Sequence, residues 1–167
     1  MRRKDRELTD KVDLLAILDE ADVCRIAIQT GKAPYIVPLN FGYSWEEKLV
    51  LYFHSAAEGR KIDLLQVNGC VGFELDTGHE LVKADLACNW GMKYKSIVGI
   101  GEIQSIEDQK EKAVALNAIM RKYWPAPQAG HGEPAELTGA AVFSVSDLRS
   151  AKVFRLVVDE VSGKQKK

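Results

Sequence analysis

The strand-like runs of this chain follow one another in hairpin order, and its three helical patterns do not alternate with them one for one. A doubly wound parallel sheet needs a helix between successive strands, so this order argues against one. An antiparallel barrel of six to eight strands, with about three helices on its outside, fits instead. Thr9-Asp10 caps a predicted helix that runs to about Ala21, with Val12, Leu15 and Leu18 as its apolar stripe. Strands are predicted over 23–29 and 33–43, joined by the turn Thr30-Gly31-Lys32, then over 49–54, 70–75, 80–83, 92–106, 140–145 and 152–158. Helices are predicted over 58–67 and 107–124; the second has Ala113, Leu116, Met120 and Tyr123 as its stripe, with acidic residues first and basic residues last. Gly99 and Gly101 interrupt the long run 92–106 and mark a bulge or a bend. Residues 125–134 read as a loop rich in proline and glycine.

The organisation expected is a single domain over 1–160, mainly β and α+β by content, followed by a flexible basic tail over 161–167. The formal net charge of the 167-residue chain is -1, which argues against bulk electrostatic binding to nucleic acid or to an anionic membrane. No run approaches the roughly 20 apolar residues of a membrane span. The start MRRKDRELTD lacks the apolar centre of a signal peptide, so a cytoplasmic location is expected. Cys24, Cys70 and Cys88 form no CxxC pair, which fits a reducing compartment; Cys24 and Cys70 read as small core residues. His54, His79 and His131 share no metal-ligand spacing with one another or with the cysteines, so no metal is expected.

The stretch FHSAAEGRK, residues 53–61, carries the clearest chemistry. The helix after it starts near Gly59, and its first N–H groups lack intrahelical partners. Arg60 and Lys61 add two positive charges, Ser55 a hydroxyl and His54 a switchable donor. This is either a phosphate site at a helix start or a solvated basic pair on a helix surface. Pro38 in the second strand marks a place where the hydrogen-bond ladder is open. Tyr94 and Ser96 share a strand face with Val98 and can meet one ligand together. Trp90 is either a stacking platform for a planar ring or a tryptophan buried under an amphipathic strand. Gly99-Ile100-Gly101 lacks the third glycine and the following helix of a dinucleotide fingerprint. No GxSxG elbow is present, and Glu46-Glu47 and Glu107-Asp108 read as solvated or capping pairs.

MRRKDRELTD, YIVPLNFGY, LYFHSAAEGRKIDLL and MKYKSIVGIGE, in this order and spacing, resemble the pyridoxamine 5'-phosphate oxidase-like flavoproteins, and most closely their 5-nitroimidazole resistance branch. The resemblance covers about residues 1–160. It implies a split β-barrel, a homodimer, and FMN bound at the dimer interface. On this resemblance Val37, Pro38, Leu39 and Asn40 would run along the flavin ring. Phe53, His54, Ser55, Arg60 and Lys61 would hold the ribityl chain and phosphate. Tyr94 and Ser96 would come from the partner subunit, and Lys152 and Arg155 would approach the flavin. The implied activity is that of an oxidoreductase passing electrons from a small-molecule donor to a small acceptor such as a nitroaromatic compound. His54 is the candidate proton donor, with a role in holding the phosphate as the alternative. A second reading is a flavin- or haem-binding sensor or carrier without turnover. The C-terminal stretch DLRSAKVFRLVVDEVSGKQKK has neither the tryptophan nor the histidine expected of the vitamin B6 oxidases, which argues against pyridoxamine phosphate oxidation.

Overall fold

The computed structural model describes residues 3–123, 148 and 151–167. Among them are eight strands: β1 (Glu7–Leu8), β2 (Cys24–Ile28), β3 (Tyr35–Leu39), β4 (Gly42–Trp45), β5 (Leu49–Ser55), β6 (Cys70–Val82), β7 (Gly91–Ile106) and β8 (Lys152–Lys166). Three α-helices accompany them: α1 (Lys11–Glu20), α2 (Arg60–Val67) and α3 (Gln109–Tyr123). All pairings are antiparallel, in the order β3-β2-β6-β7-β8-β5-β4, with β1 added to β8. This is the predicted split barrel. The predicted strand over 140–145, the loop over 125–134 and Trp124 lie outside the described residues.

Alternation builds the interior. β2 turns Cys24, Ile26 and Ile28 inward, β5 turns Leu49, Leu51 and Phe53, and β6 turns Val71, Phe73 and Leu75. Each such side chain contributes about 1.5–3 kcal/mol of burial. A second, smaller core lies on the opposite face of β5 and β8, where Ile106 and Val153 pack against Ala115, Leu116 and Ile119 of α3. Gly42 is what lets α3 lie so close: a Cβ there would collide with the backbone of Ala118 and Ile119.

β8 organises the barrel. It pairs with β7 along one edge and, along the other, with β5 over its first residues and with β1 near its end. Between these halves the register slips, because Ile100 faces Glu160 while Gly101 faces Val158, leaving Asp159 as the extra residue. The bulge predicted at Gly99 and Gly101 is there, with its extra residue on the neighbouring strand. A Cβ on Gly101 would meet the Val157 carbonyl, so glycine permits the close approach.

Several expectations are corrected. The strand predicted over 33–43 is two strands: after Leu39 the chain leaves β2, Phe41 is buried, and β4 pairs with β5. Residues 161–166, expected as a flexible tail, are strand. Their polar sequence hides this, because Val161 is the one apolar residue packed on the core and the buried position after it is Gly163, beside Leu8 and Leu14. In α1 the buried stripe is Leu14, Ile17 and Leu18 rather than one containing Val12, which is 70% exposed. Cys24 is buried as expected, but Cys70 is exposed, because it opens β6 one position ahead of the inward Val71.

Candidate functional site

The end of β5 and the start of α2 meet where the barrel seam opens. Phe53 is buried, His54 exposed and Ser55 half-buried, so the strand's period of two sends Phe53 and Ser55 to one face and His54 to the other. On β3, Val37 and Leu39 are half-buried, whereas Pro38 and Asn40 are exposed. Val37, Leu39, Phe53, Ser55 and the half-buried Lys61, from β3, β5 and α2, border one narrow gap together with core residues such as Ile26, Ile28 and Phe154; it is too tight to hold a water molecule. β3 is an edge strand of the sheet, the position in which Pro38 is tolerated because it has no N–H to donate.

Gly59 precedes α2 at φ 125°, a conformation open to glycine, and no side chain caps the helix. The first N–H groups of α2, at Arg60 and Lys61, are therefore left without a side-chain partner at the positive end of the helix dipole. The Arg60 guanidinium lies 4.6 Å from the centre of the Tyr35 ring, which orients it along β3. Tyr35 was not singled out in the sequence. Its position at the head of β3, two residues before Val37, was the available signal.

Lys152 stands directly opposite Ser55 across the β5–β8 ladder, and its ammonium lies 3.5 Å from the Glu107 carboxylate. A cavity of about 260 Å³ on the flank of α2 runs between Ala57, Gln66, Ser105 and Lys152. The mouth at the end of β5 thus gathers one hydroxyl and two cations, Lys61 and Lys152, while Arg60, the first residue of α2, is turned to Tyr35. Arg155 does not join it: it lies on the other face of β8, bonded to Gln104 and 3.4 Å from Glu111.

Tyr94 and Ser96 lie far from this mouth within one chain. Ser96 pairs with Lys164 of β8, whereas Ser55 pairs with Lys152 of the same strand. The 12 positions between Lys152 and Lys164 (164 − 152) correspond to about 40 Å along the strand. Trp90, at the exposed tip between β6 and β7, is 47% exposed and donates to the Ala84 carbonyl at 2.8 Å. It is a solvent-facing platform rather than a buried core tryptophan. Among the described residues no group of three or more histidine, cysteine or acidic side chains is placed to hold a metal ion, and no helix is long and apolar enough to cross a membrane.

The family model described as pyridoxamine 5'-phosphate oxidase matches residues 10–165. A candidate 5-nitroimidazole antibiotic resistance protein from Bacteroides thetaiotaomicron is 34% identical, with a TM-score of 0.74 and coverage of 95% of this chain and 86% of that one. A flavocytochrome from Azotobacter vinelandii superposes with a TM-score of 0.76 at 20% identity, over 100% of this chain and 72% of its own. A FAD- and haem-binding protein from Mycobacterium smegmatis gives 0.75 at 17% identity, over 97% and 74%. These last two likenesses show the shared fold alone. No curated protein matches. The match over nearly the whole chain, together with the split barrel and its open seam, places this protein in the pyridoxamine 5'-phosphate oxidase family, a family of flavin-binding proteins.

Proposed function

We propose that the chain is an FMN-dependent oxidoreductase that works as a homodimer and reduces a small planar acceptor such as a nitroaromatic compound. The observation that carries this reading is the end of β5 beside α2, where Ser55, Lys61 and Lys152 gather next to an uncapped helix start whose first residue is Arg60. The donor set fits a phosphate monoester: two ammonium groups, a guanidinium able to grip two oxygens, a hydroxyl and free backbone N–H groups. Beside it, Val37 and Leu39, half-buried on an edge strand, offer an apolar border for a flat ring. A bound flavin supplies the redox chemistry, accepting a hydride and releasing electrons.

The chain's own residues bind and orient. Lys61 and Lys152 fix the phosphate, Arg60 is steadied by Tyr35, and Val37 and Leu39 keep water from one edge of the ring. Tyr94 and Ser96 can reach the same ligand only from a second copy, given the strand length between Lys164 and Lys152. Ile36, Val98 and Ile100, on the outer face of the sheet and 62%, 46% and 43% exposed, give that copy an apolar surface to cover. His54 projects from the face opposite Ser55, so a proton-donating role for it also requires a ligand that reaches around the end of β5. The acceptor class is supported by the likeness to the Bacteroides thetaiotaomicron protein.

The test is an absorption spectrum of the purified protein, an FMN titration and a sedimentation measurement. Flavin bands, saturable FMN binding and a dimer are expected. A protein that binds no flavin at all sinks the proposal, and a Soret band without flavin bands favours the haem reading.

A further inference from the structure

A second cluster of cations lies at the other end of β8. Across the β7–β8 ladder Ser96 faces Lys164 and Tyr94 faces Lys166. Directly opposed residues of an antiparallel pair project from the same face, so two hydroxyls and two ammonium groups form one outer patch. The short β1 brings Arg6 beside them, since its first residue, Glu7, pairs with Lys164. The Lys164 ammonium lies 5.8 Å from the centre of the Tyr94 ring. Lys164, and after it Arg6, hold the Tyr94 hydroxyl below the usual tyrosine pKa, against the opposing effect of burial. A cleft of about 480 Å³ opens between this N-terminal arm and the end of β8, with Arg3, Arg6 and Lys166 on its walls.

The neighbouring charges are unequally committed. Lys93 and Lys95 of the same β7 are ion-paired, to Glu80 at 3.1 Å and Glu20 at 2.7 Å. Asp5 is gripped by Arg3 through two hydrogen bonds of 2.7 and 2.6 Å, and Asp76, opposite Ser96, is held by Arg25 at 2.7 Å and His79 at 2.9 Å. Among the described residues Lys164 and Lys166 have no ion-pair partner, and Arg6 only approaches Asp5, at 3.9 Å. Glu7, directly opposite Lys164 and so on its face, and Asp13 are the remaining acids at the cleft, against Lys164, Lys166 and Arg6. The local balance favours an anion, with hydroxyl donors beside the ammonium groups.

We propose that Lys164 and Lys166, with Arg6, form an anion site for the phosphate or diphosphate of a dinucleotide, beside the Tyr94 and Ser96 hydroxyls and separate within the chain from the Ser55–Lys61 mouth. The anion site stands on its own geometry; the identity of the dinucleotide rests on the proposed flavin chemistry. Two sources share this ligand chemistry: the ADP half of a bound FAD, and a reduced nicotinamide dinucleotide serving as electron donor.

The full-length protein is titrated calorimetrically with ADP, inorganic pyrophosphate, FMN and FAD, as wild type, as Lys164→Gln/Lys166→Gln and as Arg60→Gln/Lys61→Gln. ADP and pyrophosphate bind the wild type, and the first variant weakens both about tenfold while FMN affinity stays within about twofold. The second variant shows the reverse. If FAD is the source, its affinity falls about tenfold in the first variant; if the nicotinamide donor is, its KM rises by that factor while FAD affinity holds. A wild type indifferent to ADP and pyrophosphate overturns the site, as does a first variant that binds them unchanged or loses FMN as strongly as ADP. Should that variant misfold, the wild type still decides the matter: ADP affinity must fall as salt rises, and salt-independent binding overturns the proposal. A wild type that binds ADP but no flavin sinks the flavin chemistry and leaves the anion site standing.

Discussion

Ser55 and Lys152 face each other across β5 and β8, at the one end of the barrel where Lys61 also turns inward. This pairing joins the helix-start stretch to the C-terminal strand, two segments almost a hundred residues apart in the chain. Lys152→Ala is therefore expected to weaken FMN binding about tenfold, as is Lys61→Ala, because each removes a charge-assisted contact. Arg155→Ala, on the far face of the same strand, is expected to leave FMN affinity within about twofold. Fluorescence titration of FMN checks all three, and a Lys152 variant that binds like wild type would remove that residue from the mouth.

The stacking of Arg60 on Tyr35 makes a subtler prediction. An exposed cation–π contact contributes about 0.5–1 kcal/mol. Tyr35→Leu, which keeps an apolar side chain but loses the ring, is expected to weaken FMN two- to fivefold. Tyr35→Phe is expected to change it little. An equal loss in both variants would mean that the phenol hydroxyl, and not the ring, is what matters.

Much of this arrangement was legible in the sequence, and the gaps have physical causes. Asp10 caps α1 through the Val12 N–H at 2.9 Å, as Thr9-Asp10 suggested, and the glycines at 99 and 101 marked the bulge. The buried face of α1 was not legible: Val12-Leu15-Leu18 and Leu14-Ile17-Leu18 both satisfy helical spacing, and only docking chooses between them. The residues 161–166 look like a tail because Val161 is their one apolar residue and the next inward position is Gly163, too little for a strand's alternation to show. At the candidate site, the reading of FHSAAEGRK grouped His54 with Ser55. Strand alternation alone would have separated them, since Phe53 and Ser55 share a parity that His54 does not.

Glu74 sits on the outer face of β6, 3.1 Å from Arg25. Partial burial, and then Asp76, raise its pKa above the ordinary 4.5, with Arg25 opposing. The folded state thus holds this proton more tightly than the unfolded chain. Between 4.5 and the raised value the folded form binds more protons, so stability is fully present below 4.5 and is lost as pH rises through the folded value. The effect is small, because the half-buried carboxyl keeps about a third of its surface, 36%, in contact with screening solvent. Glu74→Gln is expected to flatten this part of the Tm profile, and Arg25→Gln to steepen it. Thermal melts from pH 4 to pH 8 measure both; identical profiles for wild type and Glu74→Gln would contradict the raised pKa.

Asp159 is the extra residue of the β8 bulge, and its carboxylate lies 3.3 Å from the exposed Lys48 ammonium. These two roles differ in energy. An exposed ion pair contributes about 0–1 kcal/mol, so Asp159→Ala is expected to shift Tm by no more than a few degrees. Deleting Asp159 removes the bulge instead. Val158 stays opposite Gly101 and Glu160 opposite Ile100, so the residues after the bulge keep their β7 partners and Gly163 keeps its inward place. What is lost is the local bend that two residues facing one give β8, on the strand whose end also pairs with β1. The deletion is therefore expected to cost more than the substitution, lowering Tm by about 4–8 °C (about 2 kcal/mol), while the melt stays cooperative. Paired thermal melts of the two variants decide it: equal small losses would show that the bend is not needed to aim the end of β8 at β1.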